Sequence, residues 1–301
     1  MTTSFQLNDG THIPRTAWGC GSAQFNTNVF ELSQSALKAG LIHLDGAQAY
    51  GNEDSLGAGF KASGLPRSSV FITTKLRRIP PGEDVRTTVV RSLAKLGVEY
   101  VDLFLVHSPS NHRDDHNYGG EPGAALKSVW AQVQEIKREG LARSIGVSNF
   151  NKEDLEIILA DSNVVPSVNQ IEYHAYTLSE TRETVDLCDR KGIRIAAYGA
   201  LSPISRFPGG QVEHVLTQLK TQPKWANVTN GQILIRWCHA KGIIAITTSS
   251  KSERMSEIAA TLGDAIPELD AEEVALIDAA GEGRAERVFW KREYASGTLK
   301  P

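Results

Sequence analysis

The sequence predicts an α/β fold, a (β/α)8 TIM barrel with an N-terminal β-hairpin, and three observations predict it. Short apolar runs alternate with amphipathic stretches eight times, the number of strand–helix units that closes a barrel. Several of these runs end on a polar or titratable residue: Asp45, Lys75 and His107 each close one. The chain has 301 residues, enough for a barrel of this type, which commonly takes about 250.

The hairpin comes first. Residues 5–14 place Asp9-Gly10 at the tip, and that dipeptide tolerates the positive φ of a type I′ turn. Strands follow near 16–19, 42–45, 70–74, 101–106, 144–147, 168–171, 194–197 and 243–247. Helical stretches between them include 29–39, 85–96, 124–139 and 179–191. In the third of these, Leu126, Val129, Trp130, Val133 and Ile136 recur at intervals of 3 or 4, the helical period. Two segments break the alternation: a polar loop over 108–123 and a Pro/Gly-rich stretch over 202–210. Both leave the C-terminal face of the predicted barrel, where loops build sites. No linker or shift in composition divides residues 1–301, which read as one domain.

Composition narrows the class of function. The net charge is −3, from 32 Lys+Arg against 35 Asp+Glu, so no basic surplus draws nucleic acid or anionic lipid. The three cysteines, Cys20, Cys188 and Cys238, are too few and too scattered for a disulfide framework. No apolar stretch reaches the ~20 residues of a membrane span, and Met1–Gln6 does not read as a leader. A cytoplasmic protein, monomer or weak dimer, acting on a small molecule is the expectation.

The predicted strand ends carry the chemistry. In a parallel barrel the C-terminal ends of strands share one face, so Asp45, Lys75 and His107 converge there, with Tyr50 in the loop five residues after Asp45. A phenol alone, with a pKa near 10, is a reluctant acid at neutral pH. An ammonium within about 4–6 Å favours the phenolate and brings that value down. Lys75 is the candidate ammonium, Asp45 the carboxylate that holds it, and His107 a donor that could orient a carbonyl oxygen. Such a set passes a proton to a carbonyl.

These residues, with Leu44-Asp45-Gly46-Ala47, Tyr50-Gly51-Asn52-Glu53 and the run 102–107, resemble the aldo-keto reductases. The resemblance continues through Ile145-Gly146-Val147-Ser148-Asn149-Phe150, Val168-Asn169-Gln170-Ile171-Glu172-Tyr173-His174, Ala197-Tyr198 and Thr247-Thr248-Ser249-Ser250-Lys251-Ser252-Glu253-Arg254. It implies a reductase in which Tyr50 is the general acid, Lys75 and Asp45 tune it, and His107 orients the carbonyl. It implies NADPH/NADP+ as cofactor, held in extended form across the barrel mouth. No Gly-x-Gly-x-x-Gly follows the first strand, so a Rossmann site is not supported.

The cofactor contacts follow residue by residue. Ser148, Asn149 and Gln170 offer donors and acceptors for a carboxamide, and Tyr198 a face for the nicotinamide ring. Gly19, Cys20 and Asp45 join them by the resemblance, and Leu201 and Ser202 begin the loop expected over the pyrophosphate. Thr248, Ser249, Ser250, Lys251 and Arg254 stand at a predicted helix N-terminus, where free N–H groups and the dipole favour an anion. The resemblance places the 2′-phosphate there, with Arg254 both binding it and stacking on adenine. The sequence departs from the family at Thr247-Thr248-Ser249, where Pro-Lys-Ser is frequent, and at Ile258, where an asparagine is.

In the substrate pocket, a tryptophan common after the catalytic histidine is Ser108, and the common Gly-Thr-Trp is Gly19-Cys20-Gly21. With Ser108 as a wall beside Tyr50 and His107, a wider pocket is expected. His107-Ser108-Pro109 and the tail 283–289 are similar to the fungal branch that reduces α-keto amides, ketolactones and conjugated polyketones. The loop 111–123, Trp290 and Tyr294 are expected to shape specificity. Two other readings stand beside this one: a redox-sensing regulatory subunit of the same fold, and a metal-dependent barrel hydrolase. The second lacks His-x-His, His-Glu-x-x-His or zinc spacing, so no metal is expected, and His43 reads as packing.

Overall fold

A computed structural model describes residues 3–111 and 123–291. Its centre is a closed ring of eight parallel strands: β3 (Thr16–Gly19), β4 (His43–Asp45), β5 (Phe71–Leu76), β6 (Val101–Val106), β7 (Ala142–Ser148), β8 (Val168–Glu172), β9 (Arg194–Tyr198) and β10 (Ile244–Thr247). The ring closes where β10 pairs with β3, Ala245 opposite Thr16 and Thr247 opposite Trp18. Helices α1 (Phe30–Lys38), α2 (Glu53–Ala62), α3 (Val85–Leu96), α4 (Ala124–Arg138), α5 (Lys152–Leu159) and α6 (Leu178–Lys191) connect successive strands outside it. After β9 come α7 (Ser202–Ser205), α8 (Gln211–Leu219) and α9 (Asn230–Ala240). After β10 come α10 (Ser252–Ala260) and α11 (Ala271–Gly281).

Each predicted strand is present within two residues of its expected ends. The reason lies in the sequence: a strand buried on both faces needs an apolar residue at nearly every position. In β6, Leu103 and Leu105 point into the barrel, whereas Phe104 and Val106 pack outward against the helices. The outward cluster also takes the helical stripe Leu126, Val129, Trp130, Val133 and Ile136 of α4. Asp84 caps α3 by accepting from the Thr87 amide, and reciprocal capping boxes at Asn151, Thr229 and Asp270 start α5, α9 and α11.

The hairpin of β1 (Ser4–Gln6) and β2 (His12–Pro14) is antiparallel and plugs the lower end of the barrel. Its Leu7 and Ile13 join the interior cluster with Ala17, Phe71, Leu105 and Ile244. The turn differs from the expectation. Gly10 alone has positive φ (+86°), the Leu7 amide donates to Thr11 O, and the Gly10 amide donates to Leu7 O. That is a three-residue loop with a bulge, not type I′, which needs positive φ at both central residues. Asp9 instead spends its carboxylate on the Thr11 amide and on Lys137 of α4, 2.6 Å away.

The stretch 202–210, expected as irregular, begins with α7, a single turn that Pro203 starts. Of the loop expected at 108–123, residues 112–122 lie outside the described residues, as does Tyr294.

Candidate active site

Asp45 ends β4, and Tyr50 follows on a single 3-10 turn, Gln48–Tyr50, that Gly51 terminates at φ +67°. Lys75 projects from β5 into the barrel and is fully buried. Its Nζ donates to Asp45 Oδ1 at 2.6 Å, to Gly46 O at 2.8 Å and to the Tyr50 hydroxyl oxygen at 3.3 Å. All three ammonium hydrogens are therefore committed. Because the Tyr50 oxygen accepts from Lys75, the hydroxyl's own hydrogen is free to point into the cleft above.

His107 lies beside that oxygen, its ring edge-on to Tyr50 with centroids 5.5 Å apart. No described side chain holds either of its ring nitrogens, whereas its main-chain oxygen accepts from Asn149 Nδ2 at 2.9 Å. Burial, helped by Lys75, pushes the His107 imidazole down to about 3, so it is neutral at physiological pH and donates through one N–H. Burial would lower Lys75, but the Asp45 carboxylate and Tyr50 outweigh it and hold the ammonium above its ordinary value. For Tyr50 the net direction differs from the sequence expectation. Burial raises the phenol more than Lys75 lowers it. The result keeps Tyr50 protonated at neutral pH, the state a proton donor needs.

The same cleft, about 580 Å³, gathers most of the residues expected to hold a dinucleotide. Gly19 and Asp45 line one side, with Ser148, Asn149, Gln170 and Tyr198 at the far strand ends. Leu201 and Ser202 close one margin, and Thr248, Ser249 and Arg254 the other. Ser148 Oγ donates to Gln170 O at 2.8 Å, Tyr198 donates to Asn149 Oδ1 at 2.6 Å, and Gln170 Nε2 donates to Asp45 Oδ2 at 2.8 Å. Asn149 adopts φ +61°, a left-handed conformation that asparagine tolerates better than most residues. Opposite, Thr248 donates to Gly19 O at 3.0 Å, tying the start of the α10 segment to β3.

Besides the fully buried Lys75, four expected residues do not line this cleft. Cys20 is fully buried behind it, its thiol donating to Asp45 O and Asn52 Oδ1, and burial pushes it up to about 12. Ser250 and Lys251 point to solvent, Lys251 serving as the residue that starts α10. Ser108 is fully buried and pairs with Ser110 Oγ at 2.7 Å, so it is no wall of the cleft.

Other residues take over. Gly21 lies so close to Tyr50 that a Cβ there would stand 2.7 Å from Tyr50 Cζ. Phe25, Phe289 and Trp290 supply apolar walls, and Arg206 joins Arg254 as a second guanidinium. Trp290 meets His107 edge-on at 6.1 Å and Phe289 meets Tyr198 at 5.4 Å. Trp290 is one of the residues the sequence singles out for specificity, and Phe289 ends the tail noted with it; nothing there marks Phe25 or Arg206.

The residues fit a nicotinamide dinucleotide. Thr247 Oγ1 is buried at the cleft without a hydrogen-bond partner, and Arg254 has no ion pair or hydrogen bond to a described residue. Both stand where an anionic ligand arm would supply the missing acceptor. Among the described residues, no group of three or more His, Cys, Asp or Glu is arranged to hold a metal ion. His43 pairs with Thr73 Oγ1 at 2.9 Å, and His174 with Glu172 at 3.2 Å. No helix among the described residues is long and apolar enough to cross a membrane.

A family model described as the aldo/keto reductase family matches residues 17–282. A Schizosaccharomyces pombe protein named NAD/NADP-dependent indole-3-acetaldehyde reductase is 37% identical over 255 residues, 82% of this chain and 86% of its own. The NADPH-dependent alpha-keto amide reductase of Saccharomyces cerevisiae is 31% identical, covering 96% of this chain and 95% of its own. The glyoxal reductase of Bacillus subtilis is 31% identical, with 85% and 86% covered. A crystal structure of an aldo/keto reductase from Brucella melitensis superposes with TM-score 0.77 at 29% identity, over 93% of this chain and all of that one.

Proposed function

Because the chain belongs to the aldo/keto reductase family, and so is an oxidoreductase that acts on carbonyl groups with a nicotinamide cofactor, we propose that it reduces aldehydes and ketones to alcohols with NADPH. One observation carries the reading: Lys75, buried and paired with Asp45, donates to the oxygen of Tyr50 at the floor of the cleft.

When bound, the reduced nicotinamide supplies a hydride to the carbonyl carbon. Tyr50 gives the carbonyl oxygen its proton. As that proton leaves, negative charge grows on the phenol oxygen 3.3 Å from the Lys75 ammonium, which stabilises it. Asp45 keeps Lys75 charged in a site where burial opposes charge. Neutral His107 aims an N–H at the carbonyl oxygen and fixes its approach. Gln170, Ser148 and Asn149 would hold the carboxamide, Tyr198 would support the ring, and Arg254 would take the 2′-phosphate of NADPH.

For the substrate, the proposal is a compound with neighbouring carbonyls, an α-dicarbonyl or ketolactone. The names of two relatives, an α-keto amide reductase and a glyoxal reductase, support it. Apolar walls at Phe25, Phe289 and Trp290 suit an organic substrate of that size. The test is NADPH oxidation by the purified protein across aldehydes, α-diketones, α-keto amides and ketolactones. Turnover fastest with adjacent carbonyls is the expected result, and no turnover with any carbonyl overturns the reading.

A further inference from the structure

Glu172 ends β8, two residues past Gln170, and its side chain is fully buried. Nothing in the proton relay uses it. Its Oε1 accepts from the Val288 amide at 2.7 Å and from His174 Nε2 at 3.2 Å, and its Oε2 accepts from the Phe289 amide at 3.1 Å. Arg287 stands 4.0 Å from Oε2 and pairs with Glu180 at 2.6 Å. The segment after α11 has further attachments, among them Ser179 Oγ donating to Arg284 O at 3.4 Å. The Glu286 amide donates to Tyr176 O, and the Arg284 guanidinium lies over the Tyr176 ring.

The two rings that this segment brings to the cleft lie at or next to the anchored amides. Phe289 packs edge-on against Tyr198, and Trp290, held at φ +56°, packs edge-on against His107. A tryptophan adopts that backbone conformation only where its surroundings over-determine it. Main-chain hydrogen bonds to a buried carboxylate are among the stronger ones a side chain can make, and two converge here. We propose that Glu172 is a positioning residue for substrate selection: it clamps the tail so that Phe289 and Trp290 form a fixed wall of the cleft. Its effect reaches the substrate only through those two rings. The role in selection rests on the carbonyl-reductase reading; the clamp itself does not.

Glu172→Gln tests it with little change of shape, because an amide offers one acceptor oxygen where the carboxylate offers two. One of the two tail amides must then lose its acceptor, as must both in Glu172→Ala. Without substrate or cofactor, tryptic cleavage after Arg287, followed by mass spectrometry, should accelerate at least about tenfold in Glu172→Ala, and less in Glu172→Gln. With NADPH, the ratio of kcat/KM between a small aldehyde and a bulky ketolactone should shift about tenfold, through KM, with kcat for the aldehyde held within about twofold. Phe289→Ala/Trp290→Ala should shift the ratio the same way, and adding Glu172→Gln to it should change nothing further. Unchanged cleavage in both variants overturns the clamp. Equal ratios in an active enzyme, or additive effects in the combined variant, overturn its role in selection. A wild-type protein inert towards every carbonyl removes the parent reading instead, and the cleavage comparison still decides the clamp. Should Glu172→Ala fail to fold, Glu172→Gln carries every comparison.

Discussion

Tyr50→Phe separates the chemistry of the site from its architecture. The substitution removes one oxygen, whose hydrogen-bond partner among the described residues is Lys75 Nζ at 3.3 Å, while Lys75 keeps its bonds to Asp45 Oδ1 and Gly46 O. The lost bond is long, so the stability cost should be about 1 kcal/mol or less. The ring still packs against His107 and the backbone of Gly21, so the cleft keeps its shape. Catalysis should suffer far more. General acid catalysis is worth about 10²–10⁴-fold, or about 2.7–5.5 kcal/mol on the barrier. Lys75→Met makes the complementary break. It leaves the buried Asp45 carboxylate with Gln170 Nε2 but no cation, and removing one partner of a buried ion pair costs about 3–5 kcal/mol of stability. The assay pairs single-turnover NADPH oxidation with urea unfolding and a fluorescence titration of cofactor. Tyr50→Phe should be inactive, near-normally stable and able to bind cofactor; Lys75→Met should be inactive and destabilised. Reduction by Tyr50→Phe within tenfold of wild type would refute the assignment of the acid.

Arg254→Ala should weaken NADPH binding by about 10- to 150-fold and NADH binding much less, as a charged hydrogen bond of roughly 1.5–3 kcal/mol implies; equal losses in a titration with both cofactors would put the 2′-phosphate elsewhere. Gly21→Ala should cut kcat about 100-fold with small effect on unfolding, because its Cβ would stand 2.7 Å from Tyr50 Cζ and the ring must shift off its oxygen's position; a wild-type kcat counts against that contact. Ser108→Trp should destabilise by about 1–3 kcal/mol by overpacking a fully buried position, without a selective change in substrate preference; a stable variant with altered preference would restore Ser108 to the cleft. Stability should also fall in acid. Burial depresses His43 to about 4, and His107 and His239 to about 3, below the unfolded value near 6.5. The unfolded chain therefore binds protons first, and stability is lost as pH drops from about 6.5 towards 3, on the order of 2 kcal/mol per imidazole by pH 5. Equal urea midpoints at pH 7 and pH 5 would contradict this.

The barrel was legible because its strands are buried on both faces, so each stands out as an unbroken apolar run, and because Asp45, Lys75 and His107 interrupt such runs where the C-terminal face begins. Which residues of β6 face in, Leu103 and Leu105, and which face out, Phe104, is a finding of the structure, because a strand apolar at nearly every position does not mark its two faces. What escaped reading is set by atoms distant in sequence. Ser108 has the right neighbour, but its direction depends on where the chain turns after β6. Lys251 has the right charge, but as the residue that starts α10 it points to solvent. Trp290 is named by the sequence, but its support is not: the amides of Val288 and Phe289 just before it donate to Glu172, more than a hundred positions upstream. The direction of the Tyr50 shift was also beyond the sequence, which shows a nearby lysine but not how deep the pair lies.

The joint between β10 and β3 sets an order of events during synthesis. One side of β3 pairs early, Trp18 with Leu44 of β4, but the other side meets its partners only at 245–247, so the ring stays open until most of the chain has left the ribosome. Until then β3 offers a bare edge to any passing strand, and Leu7 and Ile13 have no finished pit to stopper. The stitches that follow closure, Thr248 to Gly19 O and Trp18 Nε1 to Ser249 O, lie at the end of the cleft proposed to take the 2′-phosphate. A dinucleotide gripped by Gly19 on one flank and Thr248 on the other would therefore act as a suture across the last joint to form, and slow its reopening.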